Sequence, residues 1–240
     1  MKVDILAIGA HPDDVELSAS GTLLRHAALG HSFGLLDLSR GELGSRGNAA
    51  LRSQEAAAAA EILGAAFRKQ LDLPDGFFTY GPENMTKIIR ALRTYRPDIV
   101  LCNAPDDRHP DHGRSAKLVA DACFYAGLIK IETFAHDDTP QVHWRPRAVY
   151  HYVQDKQLTP DFIVDITPYF EQKMKAILAF KSQFYGEGND SGPETPISGK
   201  QFLDFMKAKA QVFGRPAQVQ YAEGFICART PAVGNLFDLH

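Results

Sequence analysis

The chain has 240 residues, 45% hydrophobic and 23% charged, an ordinary globular composition with enough sequence for one substantial core. Lysine and arginine number 26 against 29 for aspartate and glutamate, so the net charge of −3 offers no basic field for nucleic acid or an anionic membrane. No apolar run approaches the roughly 20 residues of a membrane span, the N-terminus lacks the cleavage region of a signal peptide, and Cys102, Cys123 and Cys227 are widely spaced without a CxxC pair; a single soluble domain over residues 1–240 in a reducing cytoplasm is the expectation.

Residues 3–9 (VDILAIG) form an unbroken, partly β-branched apolar run, the pattern of a central parallel strand covered on both faces. Helical spacing follows over residues 16–29 with Gly30 as a stop, and residues 33–38 read as a second strand, completing a βαβ unit. The pattern repeats with a glycine-rich loop at 41–47, a strong helix over 48–63 ended by Gly64, and a strand over 67–73. A helix over 83–95 leads into a strand over 98–103, and residues 106–112 read as a charged loop. Beyond residue 126, strands are expected at 148–153 and 162–166, and a helix opening at Thr167-Pro168 and running to Ser182. Residues 186–199, dense in Gly, Pro, Ser and Asn, read as an exposed loop, either a lid or a linker. A helix over 200–212 and a strand over 219–228 complete the chain. This alternation predicts an α/β fold, a Rossmann-like doubly wound and mostly parallel sheet with helices on both faces, because parallel strands need long connections that cover a face.

Chemistry concentrates in two segments. Ala10-His11-Pro12-Asp13-Asp14-Val15-Glu16 sits where the first strand ends, and Asp106-Asp107-Arg108-His109-Pro110-Asp111-His112 sits after the strand ending near Asn103. Ligands in open α/β sheets bind outside the carboxyl ends of the strands, so the fold can bring the segments together although 101 residues separate His11 from His112. Taken singly, each reads as turn punctuation, since Asp caps helices and Pro sets turns. Together, His11 and Asp14, three apart across a tight turn, and a histidine of the second segment make a candidate metal site. Two imidazoles and one carboxylate with open positions suit hydrolytic zinc, and non-haem iron uses the same set; the α/β alternation favours zinc, the alternatives being an iron oxygenase or a non-catalytic sugar-binding module. Asp13, beside Asp14 but not needed as a ligand, is placed as general base. His109, as an imidazolium oriented by Asp111, is the opposing group for the oxyanion and the departing amine. His26, His31, His136, His143, His151 and His240 lack such company and read as surface or packing residues.

AHPDDVE with HPDH further on resembles the PIG-L/LmbE family of zinc-dependent N-acetylglucosaminyl deacetylases. The resemblance continues through DLSRGELGSRG, LRSQEAAAAAEILG, WRPRAVYHY and YAEGF, and these stretches look most like the branch that deacetylates N-acetylglucosaminyl-malate in bacillithiol biosynthesis. It implies one zinc per chain, with iron or cobalt as substitutes, held by His11, Asp14 and His112, with Asp13 as base and His109 as electrostatic partner. It further implies that Glu42 and Arg52 grip sugar hydroxyls and that Arg108, with Arg145 behind it, meets a carboxylate of the aglycone. Arg52 also reads as an exposed cation near a helix start, and Arg108 as neutralising nearby acids. The partner expected is a small N-acetylglucosaminide, not nucleic acid or membrane, in a homo-oligomer.

Overall fold

A computed structural model describes residues 1–186 and 192–238. Its centre is β1 (Ile5–Gly9), every residue of which is buried. Side chains alternate across a strand. Leu6 and Ile8 therefore join one core and Ile5 and Ala7 the other, which explains why the run is apolar without interruption. The β2 strand (Phe33–Asp37) pairs parallel with β1, and β3 (Arg68–Gln70) parallel with β2. The chain then crosses to the other side of β1, where β4 (Ile99–Cys102) and β5 (Ala148–Tyr152) continue the parallel sheet. The β6 strand (Phe162–Asp165) forms the edge, and β7 (Ala222–Cys227) inserts between β5 and β6, antiparallel to both. The order β3-β2-β1-β4-β5-β7-β6 places the topological switch between β1 and β4, where crevices form.

Helices α4 (Pro82–Tyr95) and α5 (Pro110–Ala126) cover one face with Ile88, Leu92, Leu118 and Val119. The other face carries α1 (Asp14–Ser18), α2 (Ser20–Ala28), α3 (Ala49–Leu63) and α6 (Phe170–Leu178), and α7 (Lys200–Gly214) packs near β7. The α3 helix begins at an Asn48 side-chain cap and ends at Gly64, whose φ of 73° suits the left-handed residue that closes a helix. The doubly wound α/β expectation therefore holds, and β7 supplies the antiparallel exception.

Four local expectations need correction. The helix expected over 16–29 is two helices broken at Ala19, whose φ of −141° leaves the helical region. The charged loop at 106–112 ends early: Pro110 occupies the first turn of α5, and its fixed φ and missing N–H suit that position. The segment opening at Thr167 is a 3-10 turn, Thr167–Tyr169, without a side-chain cap, and α6 stops at Leu178 rather than Ser182. Strand β3 is three residues long where seven were expected. No helix among the described residues is long and apolar enough to cross a membrane. The loop expected over 186–199 falls partly on residues 187–191, outside the described residues.

Candidate active site

The turn after β1 is tight. A Cβ on Gly9 would lie 2.9 Å from the His11 carbonyl oxygen and 3.0 Å from Asp14 Cβ, so only glycine lets the chain fold back here. Asp13 then adopts φ 116°, a left-handed conformation unusual for a side chain, and serves as the residue before α1. The His11 amide donates to Asp14 Oδ2 at 2.9 Å, closing the turn. Asn103, one residue past β4, joins the distant segments: its Oδ1 accepts from the Ala10 amide at 2.9 Å, and its Nδ2 donates to Asp14 Oδ2 at 2.9 Å and to Gln154 Oε1 at 2.9 Å. Gln154 Nε2 reaches Asp14 Oδ1 at 3.1 Å.

The two segments meet. The His11 and His112 rings lie 5.6 Å apart between centroids, with His109 at 4.6 Å from the first and 5.1 Å from the second. Asp14 stands between the pair, Oδ1 at 3.1 Å from His112 Nε2 and Oδ2 at 3.7 Å from His11 Nδ1. The far nitrogen of each ring is held by acids: His11 Nε2 faces Asp75 Oδ1 at 3.0 Å and Asp111 Oδ2 at 3.2 Å, and His112 Nδ1 faces Asp107 Oδ2 at 2.5 Å. An acid on one nitrogen fixes the tautomer and aims the opposite lone pair inward.

This donor set fits a cation. Donor atoms of His11, His109 and His112 lie within 4.8 Å of one another, as do those of His11, Asp75 and Asp111. In the second group His11 Nε2 faces the two carboxylates, whereas its Nδ1 and His112 Nε2 each face an oxygen of Asp14. Acceptors so placed repel unless a proton or a metal lies between them. Burial opposes charge on His11, but the carboxylates of Asp111, Asp75 and Asp14 outweigh it and lift its pKa to about 10. His112 rises to about 9 because Asp14 and Asp107 outweigh its burial. Burial likewise opposes charge on Asp14, and His112 and His11 hold it well below the usual carboxylate range. Two imidazoles among four carboxylates make a pocket with the donor types a divalent cation takes, and one bound there would displace protons.

Asp13 stands apart from that set. Burial pushes its carboxyl up to about 7, against the attraction of Arg52. Arg52 is not an exposed cation: it lines the cavity but is buried, and it donates from Nη2 to Asp13 Oδ2 at 3.0 Å and to the Pro12 carbonyl at 2.6 Å, and from Nη1 to the Gly41 carbonyl at 3.2 Å. Asp111 does not orient His109 through its carboxylate, which turns instead to His11, to the Gly76 amide at 2.9 Å and to Arg114 Nη1 at 2.9 Å. The Asp111 backbone N–H donates to His109 Nδ1 at 3.2 Å, so His109 accepts at Nδ1 and offers Nε2–H as a neutral donor. Burial and the charges of His11 and His112 lower its pKa, against the imidazolium expected.

Glu42 and Arg145 are not among the residues that line the cavity. Glu42 accepts from the Asp75 and Arg40 amides at 2.9 and 3.2 Å, fixing the loop that carries Asp75. Arg145 stacks on Phe124 at 4.4 Å near the start of β5, the sheet end opposite the site. Arg108 does line the cavity, paired through Nε with Asp155. Asp75 and Gln154 escaped the sequence reading, although Asp75 lies in a Pro-Asp-Gly turn after β3, at the same sheet end as the other acids. His151, expected as packing, is buried 2.8 Å from the Asn103 carbonyl, and His240 lies outside the described residues.

The site opens into a cavity of about 470 Å³ lined by His11, Asp13, Asp14, His109 and His112 together with the apolar Ile197, Phe202, Phe205 and Met206. The family model of PIG-L, described as GlcNAc-PI de-N-acetylase, matches residues 6–123, the stretch containing both His/Asp segments. The crystal structure of the conserved protein TT1542 from Thermus thermophilus superposes with a TM-score of 0.84 at 35% identity, covering 98% of each chain. The chain belongs to the PIG-L family. Curated relatives of this PIG-L chain include the diacetylchitobiose deacetylase of Thermococcus kodakarensis, 29% identical over 92% of this chain and 81% of that one. They also include the 4-oxalmesaconate hydratase of Pseudomonas putida, 26% identical over 74% and 73% of the two chains.

Proposed function

We propose that this chain is a metal-dependent N-deacetylase that hydrolyses the acetamide of an N-acetylglucosaminide to acetate and a free amine. The observation that carries the reading is Asp14 standing between His11 and His112 while Asp13 remains outside the donor set. His11, Asp14 and His112 would hold the metal, zinc by the donor types, with iron or cobalt able to replace it. When bound, the metal supplies a Lewis acid for the amide carbonyl and lowers the pKa of a water.

The chain's own residues do the rest. Asp13, with its carboxyl raised to about 7, takes a proton from the attacking water as the C–O bond forms, and returns it to nitrogen as the C–N bond breaks. Arg52 keeps that carboxylate aimed at the site. His109 Nε2–H donates to the developing oxyanion, its ring fixed by the Asp111 backbone. Asp75, Asp111 and Asp107 hold the two imidazoles in their tautomers.

The finer reading is an N-acetylglucosaminyl-malate substrate in bacillithiol biosynthesis, supported by the longer sequence stretches and by Arg108 on the cavity wall, where it can meet a carboxylate. A cytoplasmic setting is supported by three free cysteines. Association into a homo-oligomer completes the reading. Deacetylase and hydratase relatives favour neither an oxygenase nor a non-catalytic sugar binder. The hydratase relative does favour a second reading, addition of water to an unsaturated carboxylic acid at the same site.

The deciding experiment incubates metal-quantified protein with N-acetylglucosaminyl-malate, N-acetylglucosaminyl-inositol and diacetylchitobiose, and measures free amine and acetate. Amine release from the malate conjugate first among the three supports the full reading; release only from another narrows it to the deacetylase. No release from any, with hydration of 4-oxalmesaconate, replaces it with the hydratase.

A further inference from the structure

Where one helix stops and another starts, the last carbonyls of the first and the first amides of the second lose their partners. The break at Ala19 creates this situation directly behind the site. One buried ion pair answers both ends. Lys173 of α6 donates from Nζ to the Glu16 carbonyl at 3.1 Å and the Leu17 carbonyl at 2.8 Å, both in α1. Glu223 of β7 accepts from the Gly21 amide at 3.0 Å and the Thr22 amide at 2.7 Å, both in the first turn of α2. Lys173 Nζ and Glu223 Oε1 meet at 2.7 Å, with side chains 2% and 4% exposed. The cation faces helix carbonyls and the anion faces helix amides, the arrangement favoured by the two helix dipoles.

A buried pair of this kind is weak support for stability, since well-packed apolar residues often serve as well. The pair's hydrogen bonds add fixed distances and angles at both helix ends. The element they fix is α1, five residues long, with no side-chain cap, whose preceding residue Asp13 is held at φ 116° and whose first residue is Asp14. From this geometry we infer that Lys173 and Glu223 are positioning residues for the site: clamped from α6 and β7, α1 keeps Asp13 in its left-handed conformation and Asp14 between the imidazoles. This rests on the reading of Asp13 as base and Asp14 as ligand.

The test uses the full chain carrying Glu223→Gln, Lys173→Met or Lys173→Arg, each shown folded by its thermal transition at the assay temperature. Zinc affinity, read by competition with a chromogenic chelator, falls about 10–100-fold in Glu223→Gln and Lys173→Met, the range seen when partners of metal ligands are lost. For an N-acetylglucosaminide, kcat falls while KM stays within about twofold, because binding contacts are untouched and transition-state geometry is lost. Amide hydrogens of Val15 to Ser18 exchange faster while those of β1 and β4 do not. Lys173→Arg restores part of each. Should Lys173→Met fail to fold, Glu223→Gln decides, its one amide oxygen replacing the two carboxylate oxygens that accept separately from Gly21 and Thr22. Folded Glu223→Gln protein with wild-type zinc affinity, kcat and α1 exchange overturns the inference, whereas an active Asp13→Asn enzyme overturns the reading of the base instead.

Discussion

Asp13 carries two unfavourable conditions at once, a left-handed backbone and a buried carboxyl, and both are tolerated because Arg52 and the turn hold it. A general base must be deprotonated to act, and burial sets this carboxyl near 7, so kcat/KM rises with pH through about 7. Asp13→Asn lowers kcat by about 10²–10⁴-fold while elemental analysis shows unchanged metal; retained activity would exclude it as base. Arg52 acts in the direction that lowers the Asp13 pKa, so Arg52→Met moves the acidic limb of the profile to higher pH. A limb that stays in place would show that another group titrates there. His112→Ala removes a ring held between Asp14 and Asp107 and lowers bound zinc per chain, measured after dialysis.

Short elements were the hardest to read and carry much of the site. The alternation of strands and helices was visible because β1, β2 and β4 send side chains into both cores, which makes β1 and β4 apolar throughout and β2 apolar up to Asp37. The first turn of α5 was hidden because its residues, Pro-Asp-His, are polar for chemical reasons and obscure helical periodicity. The α1–α2 break was equally hidden, since the side chains that satisfy its open ends, Lys173 and Glu223, lie far along the chain. His11, Asp13, Asp14 and His112 could be found because motif and sheet address coincide. Asp75 and Gln154 could not, because each comes from a different loop and only folding brings them near. Arg68 shows the same dependence on tertiary structure: from β3 it joins Glu16 of α1 at 2.5 Å and Asp37 of β2 at 2.8 Å, and it is almost fully buried. Arg68→Met strands two acids in the core and is expected to cost about 3–5 kcal/mol in urea denaturation; a loss below about 1 kcal/mol would place it among exposed pairs.

Across the whole molecule, the sheet converts one edge of the switch point into a cage of Asp14, Asp75, Asp107 and Asp111 around two imidazoles. A cation bound there stabilises only the folded chain, so chelation lowers the melting temperature and zinc restores it, adding about 2.7 kcal/mol of stability when free metal is 100 times its dissociation constant. An unchanged melting temperature would mean that the cage holds protons alone. The apolar cavity wall, Ile197 with Phe202, Phe205 and Met206, arises from the last quarter of the chain, whereas the family match ends at residue 123. The His/Asp segments and this apolar lining thus come from separate stretches of polypeptide. A laboratory seeking altered selectivity can vary those four positions while keeping Gln154, Lys173 and Glu223, through which the chain beyond residue 123 holds Asp14 and the ends of α1 and α2.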